Sequence, residues 1–251
     1  MNKFFKMSLV FLLFNSITST MIFAATEFYF VRHGQTNMNL KKKIIKQHFD
    51  APLNPEGQQQ IEKVTSYIET LPIKTICYSP LLRAQQTKDI INRHMHIPEV
   101  AIPELAESSR LVWAELSRMR NRPTVLGIAK GAAPAEAASE GWDAPVVLDS
   151  DRGSRLFKIS LSLQKFLNRV DIGLDKVLQQ PSPALIVAHS GVFMALCKIL
   201  HIIPDQWLIN NGTLVHFYKN KDGKWNLKHL FDVDNTLTTL QTMRVPISSG
   251  M

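Results

Sequence analysis

Glu27-Phe28-Tyr29-Phe30-Val31-Arg32-His33-Gly34 opens as a short apolar run and ends in a guanidinium, an imidazole and a glycine. Four consecutive apolar side chains without polar alternation are the mark of a strand buried on both faces, as in parallel sheets. Two later runs share the form. Thr75-Ile76-Cys77-Tyr78 leads into Ser79-Pro80, and Ala184-Leu185-Ile186-Val187-Ala188 leads into His189-Ser190-Gly191. Between them lie helical patterns at 55–69 and 81–94, with further helices expected at 155–179 and 192–200. Alternation of strands and helices implies a mostly parallel central sheet covered on both faces, a three-layer α/β/α sandwich. In such sheets ligands sit beyond the carboxyl ends of the strands.

Near the C-terminus, Leu214 to Tyr218 and Trp225 to Leu227 flank Asp222-Gly223. That pair reads as a hairpin turn in which both residues take positive φ, closing one edge of the sheet. The stretch 108–150 fits neither period. It is Ala-rich at 132–138, interrupted by Pro123, Pro134 and Pro145, and carries Arg110, Arg118, Arg120, Arg122 and Lys130. It is expected to be an inserted cap over the strand ends, helical in part from Leu111 to Met119.

The outer segments and the composition narrow the classes further. Lys3 and Lys6 precede an apolar run from Met7 to Phe14, and small polar residues lead to Ala24-Ala25. This is the layout of a signal peptide over 1–24, with cleavage near Ala24 or Ala25, and export to a periplasm or the medium is the expectation. The run is too short to span a bilayer, so no stable membrane insertion is expected after cleavage. Residues 25–251 then suffice for one large domain. The formal charge is +8, which favours anionic partners without choosing among them. No long basic stripe with interleaved aromatics suggests nucleic acid. Cys77 and Cys197 read as two small buried thiols rather than a disulfide. His94-Met95-His96 lacks a third ligand at metal spacing. No metal and no cofactor is expected.

The chemistry lies where the strands end. Arg32 and His33 follow the first strand, Arg83 sits on the first turn of the helix after the second, and His189 follows the third. Two guanidinium forks and two imidazoles suit a tetrahedral phosphoryl dianion: the forks bind its oxygens in pairs, one imidazole attacks phosphorus and the other donates a hydrogen bond. Gly34 would let substrate approach the backbone closely, and the helix start after His189 would add N–H donors. Each residue also has a plainer reading, Arg32 as a surface ion-pair residue and His189 as a satisfied core histidine. Their joint placement at successive strand ends favours the site.

Arg32-His33-Gly34, Pro52-Leu53-Asn54 with Gly57, Ser79-Pro80 with Arg83, Ala84 and Thr87, and Val187-Ala188-His189-Ser190-Gly191 occur in that order. In this the chain resembles the histidine phosphatase superfamily, the group that includes phosphoglycerate mutase-like enzymes, over nearly all of 27–227. The resemblance implies a phosphoglycerate mutase-like fold and a phosphomonoesterase working through phosphohistidine on His33. Arg32, Arg83 and His189 would neutralise the phosphoryl oxygens. Thr36 and Asn39 stand at positions that commonly assist phosphate binding, though either could cap a helix or hydrogen-bond within the turn. The proton donor would be Glu107, in Leu105-Ala106-Glu107, in preference to Glu104. A small phosphate ester is the implied partner. Two alternatives remain: phosphoglycerate mutase-type transfer, which a cytosolic substrate makes less compatible with export, and a silent phosphoanion-binding protein.

Overall fold

The computed structural model describes residues 25–40, 50–109, 112, 116 and 152–233, with 152–160 described at the level of the backbone. The expected signal peptide and most of the expected cap lie outside these residues. Within the cap, Ser108, Ser109, Val112 and Leu116 are described, and Val112 and Leu116 are helical and buried in the core.

Six strands form one sheet: β1 (Glu27–Arg32), β2 (Thr75–Tyr78), β3 (Glu99–Ala101), β4 (Ala184–Ala188), β5 (Leu214–Lys219) and β6 (Trp225–Phe231), in the order β3-β2-β4-β1-β5-β6. β3, β2, β4 and β1 run parallel, β5 runs antiparallel to β1, and β6 runs antiparallel to β5. The helices are α1 (Asn37–Leu40), α2 (Pro55–Ile68), α3 (Leu82–Met95), α4 (Arg152–Leu178) and α5 (Ser190–Ile199).

Alternation along β1 shows how the layers arise. Phe28 and Phe30 face one core with α4 and α5, whereas Tyr29 and Val31 face a second core with α2 and α3. On the first face Phe28 stacks on Phe217 at 4.7 Å and Phe193 meets Phe30 at 5.8 Å. Each fully buried aromatic of this kind contributes roughly 1.5–3 kcal/mol through apolar area removed from water. Cys77 and Cys197 are free, buried thiols, and burial pushes the Cys77 thiol up to about 12. Among the described residues, no helix is long and apolar enough to cross a membrane.

Three details depart from the sequence-based expectation. The β5–β6 connection runs from Lys219 to Trp225 through a turn closed by Gly223 N–H to Asn220 O at 3.0 Å, and only Gly223 takes positive φ, at 74°. Asn220 Oδ1 accepts from the Asp222 and Lys224 N–H groups, so a longer, side-chain-braced loop replaces the two-residue turn. A short third strand, Glu99–Ala101, lies at the sheet edge. Finally, α5 begins at Ser190, with His189 as its N-cap residue, so Ser190 and Gly191 belong to the helix.

Candidate active site

Strand register brings the two histidines together. β1 pairs with β4 so that Arg32 lies opposite Ala188, and the next residue of each strand is His33 and His189. The rings lie 5.1 Å apart between centroids, inclined at 59°. β2 flanks β4 on the other side, with Ser79 N–H bonded to Val187 O at 3.0 Å, so Ser79 arrives at the same edge.

His33 is 3% exposed. Its Nδ1 lies 2.7 Å from Gly34 O, and Arg83 Nε lies 3.2 Å from its Nε2. A guanidinium can only donate, so Nε2 is the acceptor and Nδ1 carries the proton. Burial first, then the Arg83 and Arg32 guanidinium groups, hold the imidazole well below its ordinary range. The ring is therefore neutral at physiological pH, with its lone pair on Nε2. His189 is fully buried, and its pKa is likewise held down by burial, by Arg83, His33, Arg32 and Arg169. Its Nε2 lies 2.7 Å from Ser79 Oγ.

Arg32 Nη1 donates to Ile209 O at 2.5 Å, and burial pulls the guanidinium down to about 10, opposed by Glu107 and reinforced by Arg83. Arg83 is drawn down by burial against the pull of Glu107 and Asp50. Among the described residues, two buried nitrogens of the cluster have no hydrogen-bond partner: Arg32 Nε and His189 Nδ1. Unsatisfied buried donors are costly, and an anion in their midst would satisfy both.

Gly34 packs tightly against the start of α2. A Cβ there would lie 2.4 Å from Gly57 O, and one at Gly57 would lie 2.1 Å from Gln35 O. The two glycines let the start of α2 press against the loop that follows His33, while Gly34 N–H is taken by Thr87 Oγ1 at 3.1 Å. Asn54 caps α2 by accepting from Gly57 N–H at 2.8 Å. Thr36 and Asn39 hydrogen-bond to each other, with Thr36 N–H and Oγ1 donating to Asn39 Oδ1 at 2.9 and 3.0 Å. Their bonds build the turn behind His33, which Asn211 fastens by donating to His33 O at 2.8 Å.

The two candidate acids separate clearly. Glu104 is tied to Lys176 on α4; burial alone would raise its carboxyl, but that bond and the nearby Arg169 keep it below the usual range. Glu107 faces the site. Its Oε1 accepts from Ser108 N–H at 2.7 Å and its Oε2 from Gly191 N–H at 3.3 Å, at the start of α5. That N–H, expected among the phosphate donors, is thus engaged by a carboxylate. Its charge acts on Arg32, Arg83 and Arg169.

Two residues the sequence reading did not single out complete the surroundings. Arg169, from α4, donates to Glu104 O at 2.9 Å, and burial draws it to about 10 against Glu107 and Glu104. Asp50 accepts from Leu82 N–H at 2.6 Å and from Arg83 Nη1 at 3.4 Å. His94 and His96 lie at the far end of α3, both exposed. No group of three or more metal-binding side chains occurs among the described residues.

Comparison with known proteins gives several relatives named as phosphatases and one named as a phosphoglycerate mutase. The profile of the histidine phosphatase superfamily, branch 1, matches residues 28–125. The protein described as "Probable phosphoglycerate mutase GpmB" of Enterobacter sp. (strain 638) is 43% identical over 178 residues, 70% of this chain and 75% of that protein. "Uncharacterized phosphatase PhoE" of Bacillus subtilis (strain 168) is 38% identical over 77 residues, 31% of this chain and 39% of that protein. The chain spans less than two thirds of the length of several curated relatives it matches. Among solved structures, the alpha-ribazole phosphatase of Shigella flexneri superposes with a TM-score of 0.55 at 17% identity, over 82% of this chain and 96% of that one.

Proposed function

Because the chain belongs to the histidine phosphatase superfamily, we propose that it is a phosphomonoesterase in which His33 carries the phosphoryl group. The observation that carries this reading is the neutral imidazole with its Nε2 lone pair aimed into a cluster of guanidinium groups. Neutrality makes Nε2 a nucleophile, and the cations supply the charge a phosphoryl dianion needs.

The steps balance as follows. His33 Nε2 attacks phosphorus in line, forming the N–P bond while the P–O bond to the alcohol breaks. Glu107 delivers a proton to the departing oxygen. The resulting carboxylate takes a proton from water, whose oxygen attacks the phosphohistidine, and inorganic phosphate leaves with His33 neutral again. Arg83 must pass from His33 Nε2 to the phosphoryl oxygens as substrate enters, and Arg32 and His189 hold the remaining oxygens.

Incubation with a phosphate-labelled ester and acid lability of the protein-bound label test the proposal. A burst of alcohol and a label lost in His33→Ala are expected. Full turnover in His33→Ala would remove the nucleophile from the scheme. A mutase-type reading draws on the 43% identity to the protein named as a phosphoglycerate mutase. The two part on where the label goes: to water for a phosphatase, to a second hydroxyl for a mutase.

A further inference from the structure

The contacts of Ser79 assign protons as well as positions. Ser79 is fully buried, and its Oγ lies 2.7 Å from His189 Nε2 and 3.4 Å from Leu81 N. The Leu81 N–H can only donate, so it occupies one lone pair of the hydroxyl. If His189 Nε2 also donated, the hydroxyl proton would have no acceptor among the described residues, inside a region sealed from water. If Ser79 donates to Nε2, its hydrogen-bonding capacity is used on both sides. The proton of the neutral ring then sits on Nδ1, the nitrogen that has no partner among the described residues.

We infer that Ser79 is a positioning residue that locks His189 in the Nδ1–H tautomer by donating to its Nε2. Two neutral imidazoles 5.1 Å apart are thereby held in the same tautomer, but the nitrogen each offers to a ligand differs: Nε2 for His33 and Nδ1 for His189. The bond from His33 Nδ1–H to Gly34 O leaves one ring with an electron pair to give, and the bond from Ser79 leaves the other with a hydrogen to give. With the opposite tautomer, His189 would present a lone pair to an anion and repel it. The catalytic consequence rests on the phosphatase reading; the tautomer itself rests on the hydrogen bonds alone.

Ring-nitrogen NMR of the full chain, labelled with 15N-histidine and assigned by difference against His189→Gln, reads the tautomer directly. The charged and titratable groups around the ring are Arg83, His33, Arg32 and Arg169, so spectra belong at neutral pH, where the ring is uncharged. Expected is a protonated Nδ1 and a bare Nε2 in the native protein, with the Nε2–H form appearing in Ser79→Ala. A native Nε2–H ring, a doubly protonated ring, or an unchanged tautomer in Ser79→Ala would each overturn the inference. The native spectrum decides it even if Ser79→Ala does not fold. On the catalytic side, phosphorylation of His33 in a single turnover should slow by about 10- to 100-fold in Ser79→Ala, the scale for losing an orienting partner. An unchanged rate would show that the lock has no catalytic effect. If the native protein forms no phosphohistidine at all, the phosphatase reading fails while the spectra still decide the tautomer.

Discussion

At 3.4 Å from Arg83 Nη1, the Asp50 carboxylate sets a fixed anion beside the guanidinium that faces His33. On the proposed mechanism, an entering phosphoryl group competes with it for the same cation. Asp50→Asn keeps an oxygen for the Leu82 N–H and removes the charge. Inorganic phosphate should then inhibit more strongly, its Ki falling by about 1.4- to 5-fold, the range for a partly exposed ion pair. A rise in Ki would mean that Asp50 is needed to hold Arg83 in place rather than to temper it. Neither Asp50 nor Arg169 can be read from the amino-acid string. Asp50 follows no periodic segment, and an arginine on an amphipathic helix has the same local signature whether it meets water or a site. Only the packing of α4 against the turn at Pro103–Leu105 carries Arg169 inward. His33, Arg83 and His189 were readable because each stands at or just past the end of an apolar run.

At the scale of an element, the start of α5 is shaped around a carboxylate. A Cβ on Gly191 would lie 2.2 Å from Glu107 Oε1 and 2.8 Å from Ser108 Oγ, both at the ends of side chains. Gly191→Ala should therefore leave the helix intact, since Ala favours it by about 1 kcal/mol, and push the carboxylate aside. If Glu107 protonates the leaving group, hydrolysis of an alkyl phosphate should fall by about 10²- to 10⁴-fold. Hydrolysis of p-nitrophenyl phosphate, whose phenolate leaves unaided, should change far less. Equal losses on the two substrates would separate Glu107 from proton transfer. Element positions were readable in proportion to burial. β1, β2 and β4 stand out because a strand enclosed on both faces must be apolar throughout. β3 has three residues, two of them exposed, and gives no such signal. The β5–β6 hairpin at the sheet edge was readable from Asp222-Gly223, but its loop is longer than two residues because Asn220 supplies the side-chain oxygen that stabilises it.

For the molecule as a whole, two buried neutral imidazoles tie folding to pH. Burial first, then neighbouring cations, lower both pKa values in the folded state. Unfolded, each takes a proton near pH 6.5, at about the value of a free imidazole. Below that pH the unfolded chain binds more protons, so stability falls as pH drops from about 6.5 toward the folded values; above about 7 the pair adds no slope. Each ring contributes up to about 1.4 kcal/mol per pH unit in that window. Thermal melts from pH 7 to 5 should show a steeper loss of Tm in the native protein than in His33→Gln/His189→Gln. Coincident slopes would refute the assignment. The pairing of β1 with β4 also has a consequence in time. Asn211, which fastens His33, lies 178 residues further along the chain. At about 5–20 residues per second, a ribosome needs roughly 10 to 35 seconds to travel from one to the other. Through that interval the growing polypeptide already holds His33 but not the amide that fastens it. On the proposed mechanism, reactivity therefore waits on the second half of synthesis, and a product terminated before Asn211 is expected to be inert.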